Sequence, residues 1–190
     1  MKLTSHTRIE QVARAVSDAL EKAGIRAVLT GGACAAIHTA GEYQSEDLDF
    51  ILQSAPTQKS LDDAMASAGF RRRRDLYVHP GTPFFVEFPP GPLGIGRDLA
   101  IKPIHKRVSR GGARIRTLSA TDSCRDRLAA FYHWNDRQSL RAAVRIARRN
   151  AVNLGKIRSW SRDENAEEGY REFVRELARD RRRKPPARTS

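Results

Sequence analysis

Cysteine is scarce in this sequence: two in 190 residues, Cys34 and Cys124, far apart and in no metal-ligand spacing. That excludes a disulfide scaffold and a cysteine-built zinc site, and it fits a reducing, cytoplasmic setting. No apolar run approaches the roughly 18 residues of a membrane span. The first residues also lack the apolar segment of a secretory signal, so no membrane partner is expected. Two common nucleotide signatures are missing: there is no G-x-x-x-x-G-K-[ST], and "GGACAA" is not G-x-G-x-x-G. Acids are outnumbered, 22 against 35 lysines and arginines, for a formal charge of +13. Such an excess favours a polyanionic partner, RNA, DNA or nucleotide phosphates, unless it reflects an arginine-rich composition bias. There is no internal repeat.

What is present is a change of pattern along the chain. Ile9, Val12, Ala13, Val16, Ala19 and Leu20 recur at helical spacing, and Gly24 follows as a stop. A short strand is expected over 25–30, broken by Gly31-Gly32, then a helix over 33–39 and a strand over 47–52. A helix over 57–68 follows. Strands are expected over 70–74, 76–79 and 82–88, and Gly111-Gly112 between two more extended runs suggests a hairpin. From Thr121 onward only helices are expected, with Thr121 or Asp122 capping the first. The reading is an α/β (α+β) fold: a small mixed sheet flanked by helices over 1–119, a helical region over 120–180, and a disordered basic tail over 181–190.

The residues that carry chemistry begin with "EDLDF". Side chains alternate along a strand, so Asp47 and Asp49 share one face while Leu48 and Phe50 point to the other. Two carboxylates roughly 6.5–7 Å apart repel by about 2.5 kcal/mol at an effective dielectric of 20. A divalent cation offsets that economically, since Mg²⁺ takes one or two carboxylates together with phosphate oxygens and water. An exposed strand with a merely polar outer face is the alternative. "FFVEFPP" adds Glu87 inside one of the most apolar stretches, where an unpartnered buried glutamate is costly. If the two strands are neighbours, three carboxylates converge as in a two-metal phosphoryl-transfer site. Gly31-Gly32, between a strand and a helix, exposes amide N–H groups suited to phosphate.

Together these residues resemble the nucleotidyltransferase superfamily of polymerase-beta-type fold: Thr30-Gly31-Gly32, a spacer of fourteen residues from Ala33 to Glu46, then Asp47-Leu48-Asp49 and a later third acid, here Glu87. The whole chain looks most like the bacterial AbiEii-like group. Its helical-half motif is matched by Arg127-Leu128, Ala130 and Asp136, with arginine in place of lysine. The resemblance implies Mg²⁺-dependent transfer of a nucleotide from an NTP to an acceptor hydroxyl, with two ions and Mn²⁺ as a substitute. It implies that Thr30, Gly31, Gly32, Ala33 and Arg127 bind the nucleotide, and that Asp47, Asp49 and Glu87 hold metal and perform catalysis. RNA, tRNA-like, is the favoured acceptor. A role as the toxin of a toxin–antitoxin pair, with an antitoxin protein as partner, rests on the resemblance alone. The alternatives are transfer to an antibiotic or protein hydroxyl, and a catalytically silent nucleic-acid-binding module.

The basic excess concentrates over residues 137–158, which contain no acid. Arg137, Arg141, Arg145 and Arg148 fall within about 80° of one another on a helix. That stripe is the expected RNA contact, the alternative being a solvated face. Arg71–Arg74 form a second cluster, which strand alternation would divide between two faces. The aromatics of "FYHWND" are expected to pack the helical half on the sheet.

Overall fold

The computed structural model describes residues 3–108 and 114–183. The elements run α1 (Ile9–Lys22), β1 (Ala27–Leu29), α2 (Gly31–His38), β2 (Asp47–Leu52), α3 (Gln58–Ser67), β3 (Arg71–Arg73), β4 (Leu76–Val78), β5 (Phe85–Glu87), β6 (Ile104–Arg107), β7 (Arg114–Thr117), α4 (Ala120–Trp134), α5 (Arg137–Arg149), α6 (Leu154–Asp163) and α7 (Glu167–Arg183). The seven strands form one mixed sheet in the order β3-β4-β5-β2-β1-β7-β6. The β6–β7 pairing is the expected hairpin, antiparallel from Ile104↔Thr117 to Arg107↔Arg114. Its Gly111-Gly112 turn lies outside the described residues, as does the tail from 184 onward. Helix α7 takes in residues 181–183, the first three assigned by sequence to that tail.

Local chemistry explains the element ends. The apolar stripe of α1 is buried throughout, from Ile9 to Leu20. Thr57 caps α3 by accepting from the Ser60 N–H at 3.1 Å. Helix α4 starts one residue before Thr121: Ser119 is its cap and accepts from the Asp122 N–H at 3.1 Å. This corrects the expected cap. Asp122 instead sits in the first turn, its oxygens shared among Ser119, Arg125 and Lys156, while the Thr121 hydroxyl accepts from the Asn153 N–H. Asp136 caps α5, and Asn153 caps α6.

Alternation along β2 divides the sheet. Leu48 and Phe50 are buried, in line with Val86 and Tyr77 of the neighbouring strands. Helix α3 lies on this face, where the Tyr77 hydroxyl donates to Asp62 at 2.6 Å. Asp47 and Asp49 point to the other face and stay half-buried. Helix α4 packs against α2 and α5, which joins the helical half to the sheet. A buried cation secures that junction: Arg125, 1% exposed, reaches Asp98 at 2.6 Å and Asp122 at 2.8 Å, with the Trp160 ring beneath it. Cys34 and Cys124 are buried free thiols. No helix among the described residues is long and apolar enough to cross a membrane.

Candidate active site

The parallel pairing of β2 with β5 sets the register Asp47↔Phe85, Leu48↔Val86, Asp49↔Glu87. Glu87 therefore stands directly beside Asp49, one strand spacing of about 4.8 Å away on the same face. The three acids expected from sequence share one half-buried patch.

The glycine turn closes over this patch. Thr30 follows β1 at the N-cap position of α2, and its N–H donates to the Asp49 carbonyl at 2.9 Å. Gly31 adopts φ +64°, and a β-carbon there would collide with the Asp49 carboxylate. Both the left-handed backbone and the contact demand glycine. A β-carbon on Gly32 would meet the Ser45 hydroxyl. Ser45 in turn donates to Asp47 Oδ1 at 2.5 Å. The first helix amide turned back inside is that of Cys34, which donates to the Thr30 carbonyl. Among the described residues the amides of Gly31, Gly32 and Ala33 have no backbone acceptor. Buried amides seldom stay unpaired, and at a helix N-terminus they suit an anion.

Electrostatics single out Asp49. Burial, then the neighbouring Asp47 and Glu87, push its carboxyl up to about 6, against the opposing pull of Arg127. Arg127 comes from α4. Burial works against its charge, but Asp126, and beyond it Tyr43 and Asp49, outweigh that and raise its pKa. Its Nε and Nη2 donate to Asp126 at 3.0 and 2.9 Å, and Nη1 reaches the Ser139 hydroxyl at 3.4 Å.

The donor set can be tested against a metal. Asp47 is turned toward Ser45 and Asp49 toward Gly31, and among the described residues no three acids, histidines or cysteines gather into an all-protein cage. What exists is a patch of carboxylate oxygens in which burial, and then mutual repulsion, keeps Asp49 proton-hungry. That chemistry fits a hard divalent ion held by one or two carboxylates and completed by water and substrate phosphate.

Other expectations land elsewhere. On α5, Arg137 pairs with Glu172 at 2.7 Å, Arg145 donates to the Glu42 carbonyl at 2.8 Å, and Arg148 pairs with Glu42 and Asp180. The acids missing from residues 137–158 are supplied by other elements, so only Arg141 of the stripe lacks an ion pair or hydrogen bond among the described residues. Arg71, Arg72 and Arg73 are all exposed on edge strand β3. Tyr132 stacks on Trp160 and Phe131 is buried, as core packing expects, but Trp134 is 76% exposed. Three site residues escaped the sequence reading: Ser45, Tyr43 and Asp126. Ser45 was findable as a hydroxyl two residues before Asp47, close enough in sequence to reach its carboxylate.

No family model and no curated protein matches the sequence. Solved structures do match the fold. An antigenic nucleotidyltransferase-like protein from Paracoccidioides brasiliensis superposes with a TM-score of 0.57 at 16% identity, over 76% of this chain and 78% of that one. The chain has the nucleotidyltransferase fold. The antibiotic-resistance factor ANT(2'')-Ia, solved in solution, shares that fold with a TM-score of 0.51 at 11% identity, over 92% and 97% of the two chains. ANT(2'')-Ia in complex with adenylyl-2''-tobramycin gives 0.52 at 12%, over 88% and 99%. These two likenesses take in most of the chain, the helical half included.

Proposed function

We propose that the protein is a nucleotidyltransferase that moves a nucleotide from an NTP to an acceptor hydroxyl, with RNA as the acceptor. The observation that carries this reading is the register Asp49↔Glu87, which puts a third carboxylate beside the Asp47–Asp49 pair. The amides of Gly31, Gly32 and Ala33 receive the triphosphate, helped by the N-terminus of α2. Arg127 supplies positive charge beside Asp49 and draws on the leaving phosphates. Asp47, Asp49 and Glu87 would hold Mg²⁺, which when bound neutralises phosphate charge and favours an ionised acceptor.

In the reaction the acceptor oxygen bonds to the α-phosphorus, the bond from that phosphorus to the bridging oxygen breaks, and pyrophosphate leaves. Glu87 takes the acceptor's proton, as a carboxylate within reach of a hydroxyl can. Ser45 holds Asp47 in place through its hydroxyl.

RNA is favoured over a small cationic drug by the net charge of +13. A tRNA-like acceptor, an AbiEii-like toxin role and an antitoxin partner follow from the sequence resemblance. The shared fold with an antibiotic-resistance factor supports the second reading, in which the acceptor is an antibiotic. One experiment separates them. Each labelled NTP is incubated with the protein, Mg²⁺ and either total RNA or an aminoglycoside. Label in RNA that disappears in Asp47→Ala supports the main reading; label in the aminoglycoside supports the second. Incorporation that survives in Asp47→Ala would refute the assignment of the site.

A further inference from the structure

The sheet orders its chemistry in space. The phosphate cradle lies at β1–α2, the carboxylates on β2 and β5, and beyond them come β4 and the edge strand β3. Pairing registers extend two cross-strand rows over the carboxylate face. One runs Asp49, Glu87, Leu76, Arg73; the other runs Asp47, Phe85, Val78, Arg71. Arg73 is three strand spacings from Asp49, about 14 Å. Leu76, Val78 and Phe85 are half-buried, so an apolar shelf separates the acids from the arginines.

Arg71 and Arg73 are exposed, and among the described residues neither has an ion-pair partner. Arg72, between them, falls in the row of Leu48, Val86 and Tyr77 on the opposite face, where its charge acts on Asp62. Alternation thus sends two of the three arginines to the carboxylate face. From these rows we infer that the acceptor is a single-stranded RNA segment lying across β5, β4 and β3, with its reacting hydroxyl at Glu87 and its backbone phosphates on Arg73 and Arg71. The inference rests on the nucleotidyl-transfer reading and adds to it the path and charge of the acceptor. Phosphates are attracted at the arginine edge, which sets the end of the rows where the backbone lies; the shelf between suits ribose and base faces. A polycationic aminoglycoside would be repelled by the same edge arginines.

Charges on an edge strand also serve to block sheet-to-sheet association, and the experiment separates that role. Arg71→Ala/Arg73→Ala is compared with Arg72→Ala on the same strand, all checked for an unchanged melting temperature. Binding of a fluorescent single-stranded RNA 20-mer is followed by anisotropy against salt, and binding of a labelled NTP with Mg²⁺ by equilibrium dialysis. The double variant is expected to bind RNA at least tenfold more weakly, with the log–log salt slope reduced by about 1.4 for two lost phosphate contacts. Arg72→Ala and the NTP affinity should be unchanged. RNA binding unaltered in the double variant, equal loss in Arg72→Ala, or a gain only in self-association would overturn the proposed path. Absence of NTP binding in the unmodified protein would instead refute the nucleotidyl-transfer reading itself.

Discussion

Gly31 and Asp49 touch: the Asp49 carboxylate occupies the place where a β-carbon on Gly31 would have to be. Gly31 also has φ +64°, which costs an L-residue about 1–2 kcal/mol. Gly31→Ala should therefore destabilise the protein by about 2–4 kcal/mol, the steric and backbone costs together. In an Asp49→Ala background only the backbone part should remain. A double-mutant cycle from denaturant unfolding checks this, and strictly additive costs would contradict the contact.

Asp49 also governs a pH dependence. Its carboxyl is raised to about 6 from an ordinary 3.8, so the folded protein holds that proton more tightly than the unfolded chain. The stability this gives is present below about pH 4 and is lost as pH rises through 6. Asp49→Asn should then stabilise the fold without divalent cation by about 1–3 kcal/mol at pH 7.5 and by little at pH 4. Thermal melts at the two pH values read the difference directly.

Arg127 lowers the proton affinity of Asp49. Arg127→Gln should move the acid limb of the transfer activity to higher pH as well as reduce its maximum. A pH profile of label incorporation distinguishes this from loss of folding alone, which would lower the curve without moving it.

The buried ion cluster predicts a structural cost with no catalytic signature. Arg125→Met would leave Asp98 and the buried Asp122 short of their partner. The expected loss is about 3–5 kcal/mol. Arg125→Lys should recover only part of it, because one ammonium cannot replace the guanidinium fork. Urea midpoints of the three proteins test this order.

On α5, Arg148→Ala and Arg141→Ala should behave differently. Arg148 pairs with Glu42 in the loop after α2 and with Asp180 on α7, so its loss should lower stability by about 1–2 kcal/mol. Arg141 is exposed and should leave stability within about 0.5 kcal/mol of the unmodified protein. Equal melting temperatures for the two variants would contradict the assigned contacts.

Much of this architecture was legible locally. Strand β2 spans the expected 47–52, and the helical stripe of α1 is buried residue for residue. The start of α4 was misread because Ser119, Thr121 and Asp122 all have capping chemistry; packing chose Ser119 and committed Asp122 to Arg125 and Lys156. The stripe of α5 was seen, but not its neutralisation. Glu42, Glu172 and Asp180 lie far from it in sequence, and nothing in a helical period tells which distant acid a fold will bring.

The sequence by itself determined which residues share a face. Alternation put Asp47 and Asp49 on one side of β2 and Leu48 and Phe50 on the other, and helical spacing gathered the buried stripe of α1. Those are consequences of fixed backbone periods, two for a strand and 3.6 for a helix. Only the tertiary structure decided what stands across from them: Glu87 beside Asp49, Arg127 near enough for its charge to act on the same carboxylate, Arg71 and Arg73 at the far end of the two rows. Register between strands depends on the whole buried face finding its partners at once, and a one-residue slip would have turned Glu87 to the opposite side of the sheet.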